Sequence, residues 1–391
     1  MGKKKDKKRL EREAETNSPA ETQTDLTLLN AAGDSHRKKK PKTKPEKETN
    51  GETKKADDIP TVTVAIAGSI VDNAQSLELA TRLASQIARA ATIFRIDEVV
   101  VFDNKSSSRN NGAFSNQNNS NENDRGAAFL VRILQYLETP QYLRKALFAK
   151  HNSLRYVGML PPLDAPHHLR KHEWAPYREG VTLEEKPTSS LGTVVDVGLD
   201  KNVVVDQALE PGKRVTVAMG TNQNLDYDLP RQVVSSSKPR EDTGTYWGYK
   251  VRYASNISSV FSDCPYKGGY DHLIGTSEHG IVVNSSQLNL PAFRHLLIAF
   301  GGLLGLEKSV EEDNKLKGKN VRDIFNMYLN TCPHQGSRTI RTEEALLISL
   351  QYFQEPITRA MQGPANSLKH AQAHVLKFLA AKMSMPIFVN L

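Results

Sequence analysis

The sequence predicts an α/β protein: a parallel sheet interrupted by a small β-barrel insert. Three observations predict it. An apolar β-branched run, an amphipathic helix and a second apolar run follow one another between Thr61 and Asp103. From about Glu179 that pattern gives way to short β-type runs separated by turn residues. After Ser255 the first pattern returns, and its apolar runs end in loops of small residues.

The first 58 residues are rich in Lys, Glu, Thr and Asp and almost lack aromatics. Such a segment buries too little apolar surface to offset its ordering entropy, so 1–58 is expected to be a disordered basic tail. Its "KKKDKKR" and "RKKKPKTK" runs fit nuclear import or contact with RNA, against the plainer reading of a solubilising tail. They point to the nucleus or nucleolus, with an association with mitotic chromosomes or spindle as a further expectation. Order begins at Thr61, where "TVTVAIAGSIV" reads as a buried strand. Ala80, Leu83, Ala84, Ile87, Ala88 and Ala91 then recur at helical spacing. "DEVVVFDN" is a second apolar strand, and a helical crossover between two such strands implies parallel pairing. Residues 104–126 form an Asn/Ser-rich loop, tolerable because closure entropy grows slowly with length. "AAFLVRILQYLE" and "QYLRKALF" read as helices, and "LRYVGMLPPLD" as a third strand stopped by Pro161-Pro162.

In the insert, "GTVVDVGL", "NVVVD", "KRVTVAM", "RQVVSSS" and "TYWGYKVRYA" are the β-type runs, separated by turn-forming stretches such as "LDKN" and "EPG". Their spacing suggests an OB-like barrel over 158–250, a class that commonly binds single-stranded nucleic acid; a structural insert without ligand is the alternative. Residues 61–157 and 255–391 should then fold together as one α/β domain. Within 255–391, "YDHLIGTSEHG", "FRHLLIAFGGLLGLE" and "DIFNMYLNTCPHQGSRT" each lead into a loop of small residues. Thr342 is expected to cap a last helix, with Glu343 and Glu344 suiting its positive end. Leu346, Leu347, Ile348, Leu350 and Phe353 make that helix apolar nearly all round, which predicts burial.

Bulk composition narrows the chemistry. The chain has 391 residues, enough for two or three domains at roughly 150 each. Net charge is +8, and much of that excess lies before Asp58, so local basic patches are expected rather than a uniformly cationic surface. Two cysteines, Cys264 and Cys332, exclude a disulfide framework and a Cys-rich zinc finger and suit a reducing compartment. No apolar run approaches the ~18 residues of a membrane span, and no secretory h-region follows "MGKKKDKKRL". Neither a membrane nor a metal is therefore expected.

The small-residue loops carry the strongest chemical signal. Gly275-Thr276-Ser277, Phe300-Gly301-Gly302 with Gly305, and Thr331 to Gly336 each follow an apolar run. In α/β sheets ligands gather at the C-terminal strand ends, and small side chains let the backbone approach them. None of these loops is a G-x-x-x-x-G-K-[ST] phosphate loop, and "GGLLG" is not G-x-G-x-x-G. Cys332 and His334 stand two apart, which on an extended loop tends to point them to opposite sides, against a nucleophile–base pair. His167, His168 and His172 fit a polar loop better than a zinc site. Arg338 and Arg341, near a helix start, suit RNA phosphate, against surface pairing with Glu343 or Glu344.

"YDHLIGTSEHG", "FGGLLGLE" and above all "NTCPHQGSRTIRTEEALLISL" resemble the SPOUT superfamily of S-adenosyl-L-methionine-dependent RNA methyltransferases. The likeness is to its archaeal/eukaryotic branch with an OB-like insert and covers about 61–365. It implies a SPOUT-type parallel sheet with a C-terminal trefoil knot, a homodimer, and RNA, most plausibly ribosomal, bound across the two subunits. It implies a cofactor cup made by Gly275, Thr276 and Ser277, by Phe300, Gly301, Gly302 and Gly305, and by Asn330, Thr331, Cys332 and Pro333. Gly336, Ser337, Arg338, Thr339, Ile340 and Ala345 complete it. The favoured acceptor is a base nitrogen such as uridine N3, with Arg338 as the catalytic residue that stabilises the developing anion. Arg341, together with Tyr246, Trp247, Lys250 and Arg252, would contact RNA, with core packing as the alternative for the aromatics. The family form commonly carries Gly where this chain has His334 and Arg where it has His279, which argues against either as a universal base. A catalytically inactive RNA-binding or ribosome-assembly or mitotic scaffold, acting through the insert, is the alternative function.

Overall fold

The computed structural model describes residues 59–103, 126–185, 192–225 and 230–383, with side chains to residue 362. The expected basic tail and most of the Asn/Ser-rich loop lie outside the described residues. β1 (Thr61–Ala67) is buried along nearly its whole length, as a strand covered on both faces must be. α1 (Leu77–Ile93) follows, capped by Ser76, whose hydroxyl accepts the Leu79 amide at 3.2 Å. Its buried face includes Ala80, Leu83, Ala84, Ile87, Ala88 and Ala91, as the spacing predicts. β2 (Glu98–Phe102) pairs parallel with β1, Thr63 opposite Glu98. α2 (Ala127–Glu138) and α3 (Gln141–Leu147) come next.

The expected third strand does not form. Residues 152–154 and 157–159 are two short 3-10 turns instead. The sheet edge beside β2 is taken by a later segment.

The insert contains β3 (Tyr177–Thr182), β4 (Thr193–Asp196), β5 (Val203–Val205), β6 (Arg214–Ala218) and β7 (Gln232–Val234). They form an antiparallel sheet in the order β5-β4-β3-β6-β7. An isolated parallel bridge, Val205 to Arg231, joins its two edges, with Arg231 N–H donating to the Val204 carbonyl at 2.7 Å. Val195, Val197, Val203, Val205, Val217 and Met219 make a small core of their own, apart from the main one.

After a short α4 (Lys238–Thr243) the chain enters β8 (Lys250–Ala254). β8 pairs parallel with β2, Glu98 opposite Lys250. The second half of "TYWGYKVRYA" therefore belongs to the parallel sheet and not to the barrel. Its side chains explain the choice: Arg252 Nε donates to Glu98 Oε1 at 2.9 Å, and the buried Tyr246 hydroxyl donates to the Ile96 carbonyl at 2.9 Å. α5 (Ile257–Ser262), β9 (His272–Val282), β10 (His295–Phe300), α6 (Gly305–Glu312), α7 (Val321–Ile324), β11 (Met327–Asn330) and α8 (Thr342–Met383) complete the chain. All six strands of the main sheet run parallel, in the order β11-β9-β10-β1-β2-β8.

α8 departs from expectation twice. Leu346, Leu350 and Phe353 are buried, but Leu347 is 46% and Ile348 38% exposed, so the helix is apolar all round yet buried on one side only. Thr342 is its first residue, and its hydroxyl donates to the Gly301 carbonyl at 3.0 Å rather than capping the helix. The Arg341 amide is satisfied by Glu344 Oε2 at 3.1 Å, the reach-back half of a capping box.

Insert and sheet meet at a buried polar junction. Arg214 places Nη1 2.5 Å from Glu138 Oε2 and Nε 2.6 Å from Glu179 Oε2. His167 and His168 donate through Nε2 to the Glu138 carbonyl at 2.9 and 2.7 Å. Trp247 Nε1 donates to Glu179 Oε1 at 2.7 Å. Gly248, at φ 88°, passes where a Cβ would stand 2.3 Å from Glu138 Oε1.

Candidate functional site

Three neighbouring strands deliver their C-terminal ends to one place. β10 pairs with β9, Phe300 opposite Thr276, and β11 pairs with β9 on the other side. The β11–β9 register jumps: Tyr328 faces Gly275, but the next residue, Leu329, faces Ile281. Thr276 to Gly280 are thus released from pairing with β11 and form one rim. The expected Gly275-Thr276-Ser277 loop is in fact part of β9. The second rim is the turn after β10, where Gly302 and Gly305 bridge. Its compactness depends on Gly301: a Cβ there would stand 2.3 Å from the Gly305 carbonyl carbon. The third rim is the segment from Asn330 into α8.

These rims enclose a cavity of about 370 Å³, within the range of small-ligand sites. Thr276, Ser277, Phe300, Gly301, Gly302 and Gly305 line it, as predicted. So do Asn330, Thr331, Cys332, Thr339, Ile340 and Ala345. Gly275, Pro333, Gly336, Ser337 and Arg338 do not. Gly275 packs beneath Tyr328 and Phe325, whose rings leave no room for a Cβ. Residues 333–338 form a loop closed on itself: Gln335 Nε2 donates to the Ser337 carbonyl at 3.0 Å, and Ser337 Oγ to the Thr339 carbonyl at 2.8 Å. A side chain at Gly336 would meet open space, so this glycine does not shape the cavity.

The walls are held by side-chain bonds to backbone and to each other. Thr276 Oγ1 donates to the Ala299 carbonyl at 2.9 Å, and Asn330 Nδ2 to the Glu278 carbonyl at 2.9 Å. Thr331 and Ser349 hydroxyls lie 2.7 Å apart. With Thr342 bonded to Gly301, α8 is fastened to the turn after β10.

The sequence reading missed a charged cluster. Glu307, in the first turn of α6, turns its carboxylate into the cavity. Its Oε1 accepts from Ser277 Oγ at 3.1 Å and His279 Nδ1 at 3.2 Å. Burial pushes the Glu307 carboxyl up, but the Tyr328 hydroxyl, its own amide, His279 and Ser277 outweigh this and hold it below the usual carboxylate range. Glu278 and His279 line the same rim, and none of the described lining residues is Lys or Arg. The cavity is therefore acidic. It suits a ligand with cationic character, not a phosphate. The only sequence signal was an acid two residues past Gly305, which looks like an ordinary first-turn helix residue.

The remaining predicted residues fall elsewhere. Arg338 is exposed and forms no ion pair among the described residues. Arg341 lies exposed, 4.0 Å from Glu343 Oε1, the surface pairing that was the alternative. Cys332 donates its amide to Asn330 Oδ1, and no hydrogen bond among the described residues joins it to His334. The expected RNA face over Tyr246, Trp247, Lys250 and Arg252 is corrected in two places. Tyr246 is buried, and Arg252 is held by Glu98, by Tyr270 Oη at 2.9 Å and by the Val260 carbonyl at 3.2 Å. Trp247 is half-buried and Lys250 exposed.

Comparison with known proteins agrees with this geometry. Residues 61–353 match the model of a family described as "Putative RNA methyltransferase". A mouse 28S rRNA (uridine-N(3))-methyltransferase is 49% identical over 311 residues, 79% of this chain and 80% of the relative. Its human counterpart is 49% identical over 303 residues, 77% and 79% of the two chains. The Drosophila melanogaster protein of the same name is 45% identical over 303 residues, 76% of this chain and 62% of the relative.

Proposed function

Because this chain belongs to that RNA methyltransferase family, we propose that it transfers the methyl group of S-adenosyl-L-methionine to N3 of a uridine in ribosomal RNA. The observation that carries the reading is the acidic cavity, with no Lys or Arg among its described lining residues, at the C-terminal ends of three adjacent parallel strands. A sulfonium donor is cationic at sulfur and fits carboxylates; phosphate-bearing cofactors do not. Gly301 and Gly302 offer the backbone approach an adenine edge needs, and Ile340, Ala345 and Ile348 offer an apolar wall. Ser277, Glu278 and Glu307 suit the polar end.

The bound donor supplies an electrophilic methyl group. The chain's own residues must align the base, exclude water and remove a proton, because N3 of uridine carries hydrogen. Glu307 accepts the Nδ1–H of His279 and leaves Nε2 of that ring to take the N3 proton, a device of this chain and not a family-wide base, since the family commonly carries Arg at this position. Arg338 does not line the cavity; exposed on the adjoining 333–338 loop, it would have to reach in with the bound RNA to meet the negative charge that spreads onto the uracil carbonyls. A base must leave its stack to reach such a cavity, so a loop or single strand is the proposed substrate.

The finer architecture belongs to the same proposal. After the edge strand β11 the chain returns to pack α8 on α1 and β10, beside the 301–304 turn, a path that fits a trefoil knot. The insert's strand order and the bridge joining β5 to the β7 side fit an OB-like barrel. Exposed Leu303, Leu304, Leu347 and Ile348 lie on elements that line the cup and fit a homodimer interface there. The basic runs of the tail support a nuclear or nucleolar address. Calorimetry with S-adenosyl-L-methionine, followed by mass-spectrometric mapping of ribosomal RNA from cells with and without the protein, tests the reading. Binding and one lost methyluridine are expected; no detectable binding would leave a scaffold function instead.

A further inference from the structure

A second and larger cleft lies away from the cup. It has a volume of about 1240 Å³ and opens between the insert and the main sheet. Its insert wall is β6 and β7 with the hydroxyls of Ser235, Ser236 and Ser237. Its other wall includes Thr61, Lys250 and His295, the first residues of three parallel strands. The cup sits at the far ends of the same sheet. β10 connects the two, His295 lining the cleft and Phe300 the cup, about 17 Å apart at the usual rise of a strand.

The charges of this cleft are unequally used. Its carboxylates are all engaged: Asp97 with Arg240, and Glu138 and Glu179 with Arg214. Three cations are left over. Lys250, Lys267 and Arg294 are exposed and form no ion pair among the described residues. Arg294 and Lys267 are neighbours, since the Arg294 guanidinium lies beside Gly268, and Lys250 stands three strands along the same end of the sheet, about 14 Å away at the usual strand spacing. Rings accompany them. Tyr266 stacks on His295 with centroids 3.9 Å apart and planes at 8°, and half-buried Trp247, its Nε1 donating to Glu179, lines the same cleft. Uncompensated cations, hydroxyl donors and flat rings together match a polyanion that carries aromatic faces.

We propose that this cleft holds a single-stranded stretch of the RNA substrate flanking the target nucleotide. Lys250, Lys267 and Arg294 contact its phosphates, and Tyr266 or Trp247 a base. The proposal rests on the RNA methyltransferase reading, and it gives the enzyme two separated grips on one RNA. It uses the barrel's β6–β7 side where it abuts the sheet. The stacking rings favour a nucleic acid over an acidic peptide, which would use only the charges.

The test compares the full chain with a Lys250→Ala/Lys267→Ala/Arg294→Ala variant. Two ribosomal RNA oligonucleotides are used, a long one with flanks and a short one covering only the target loop. Affinity for the long oligonucleotide is expected to fall at least tenfold at low salt. The slope of log K against log salt should shrink by about 2–3, as for three lost phosphate contacts. Affinity for S-adenosyl-L-methionine should stay unchanged, which shows the variant is folded. The short oligonucleotide should bind both proteins alike. Photocrosslinking of 4-thiouridine-labelled long RNA to the unaltered protein should label Tyr266 or Trp247. Equal affinity and equal salt slope for the two proteins would overturn the cleft while leaving the methyltransferase reading intact. Loss of binding to both oligonucleotides alike, or displacement of the long RNA by a polyglutamate peptide at equal charge, would also overturn it. Failure of the unaltered protein to bind either RNA would overturn both readings.

Discussion

At Gly301 the cup depends on an absent side chain, and at Glu307 on a charged one. A Cβ at Gly301 would collide with the backbone of the turn that starts α6. Gly301→Ala is expected to introduce about 1–3 kcal/mol of strain. Where the turn relieves that strain by leaving its binding shape, S-adenosyl-L-methionine should bind roughly five- to 150-fold more weakly by calorimetry. Gly336→Ala, whose Cβ would meet open space, should change binding little. Glu307→Gln keeps the shape but removes the charge that orients His279. Single-turnover methylation should slow by about 10²-fold or more if the pair takes the N3 proton. An unaltered rate would remove Glu307 and His279 from the proton path. The glycines were legible because small residues at strand ends form a pattern. Glu307 was not, because its meaning comes from Ser277 and His279, distant in sequence.

The elements carry a different balance of legible and hidden features. α1 shows its buried face in its spacing, and β1 and β2 show theirs as continuous apolar runs. α8 misled, since a helix apolar all round reads as buried, yet Leu347 and Ile348 face outward. That face is expected to be covered in a homodimer. Ile348→Asp should then give a folded monomer in light scattering, whereas an unchanged dimer would place the interface elsewhere. Leu350→Ala, on the covered face, should cost about 2–5 kcal/mol of stability in chemical denaturation. For β8 the sequence points to the wrong sheet, because a five-residue run such as Lys250–Ala254 suits either one. The vacant edge of β2 and the Arg252–Glu98 pair settled its partner.

For the molecule as a whole, the junction at Glu138 makes stability depend on acidity. Burial raises the Glu138 carboxyl, but Arg214 and His167 overcome this and bring it down to about 2. Its stabilisation is present above the ordinary value of 4.5 and is lost as pH falls toward 2. Burial, with His167 beside it, lowers His168 from 6.5 to about 4. The folded state there keeps the ring neutral while the unfolded state takes a proton. Its share, at most about 3 kcal/mol, is present above pH 6.5 and fades as pH falls to 4. Melting temperature should therefore decline from pH 6.5 downward, and His168→Gln should flatten the upper part of that decline. Arg214→Met should cost roughly 3–5 kcal/mol, because it takes the shared guanidinium from two buried carboxylates and leaves Glu179 to Trp247 and Thr216, and Glu138 to His167.

The sequence by itself determined the parallel α/β core, the presence of a β insert, and most of the glycine- and threonine-rich lining of the cup. These are local properties, since apolar period, turn residues and small loops act within a few positions of one another. Tertiary structure alone decided which sheet receives Lys250–Ala254 and how β9 slips its register to open a rim. It also decided that Glu307 meets His279, and that Lys250, Lys267 and Arg294 gather in one cleft. Each of these joins residues far apart in the chain, and pairing at such range is fixed by which strand edges are open and which charges remain uncompensated once the core has closed.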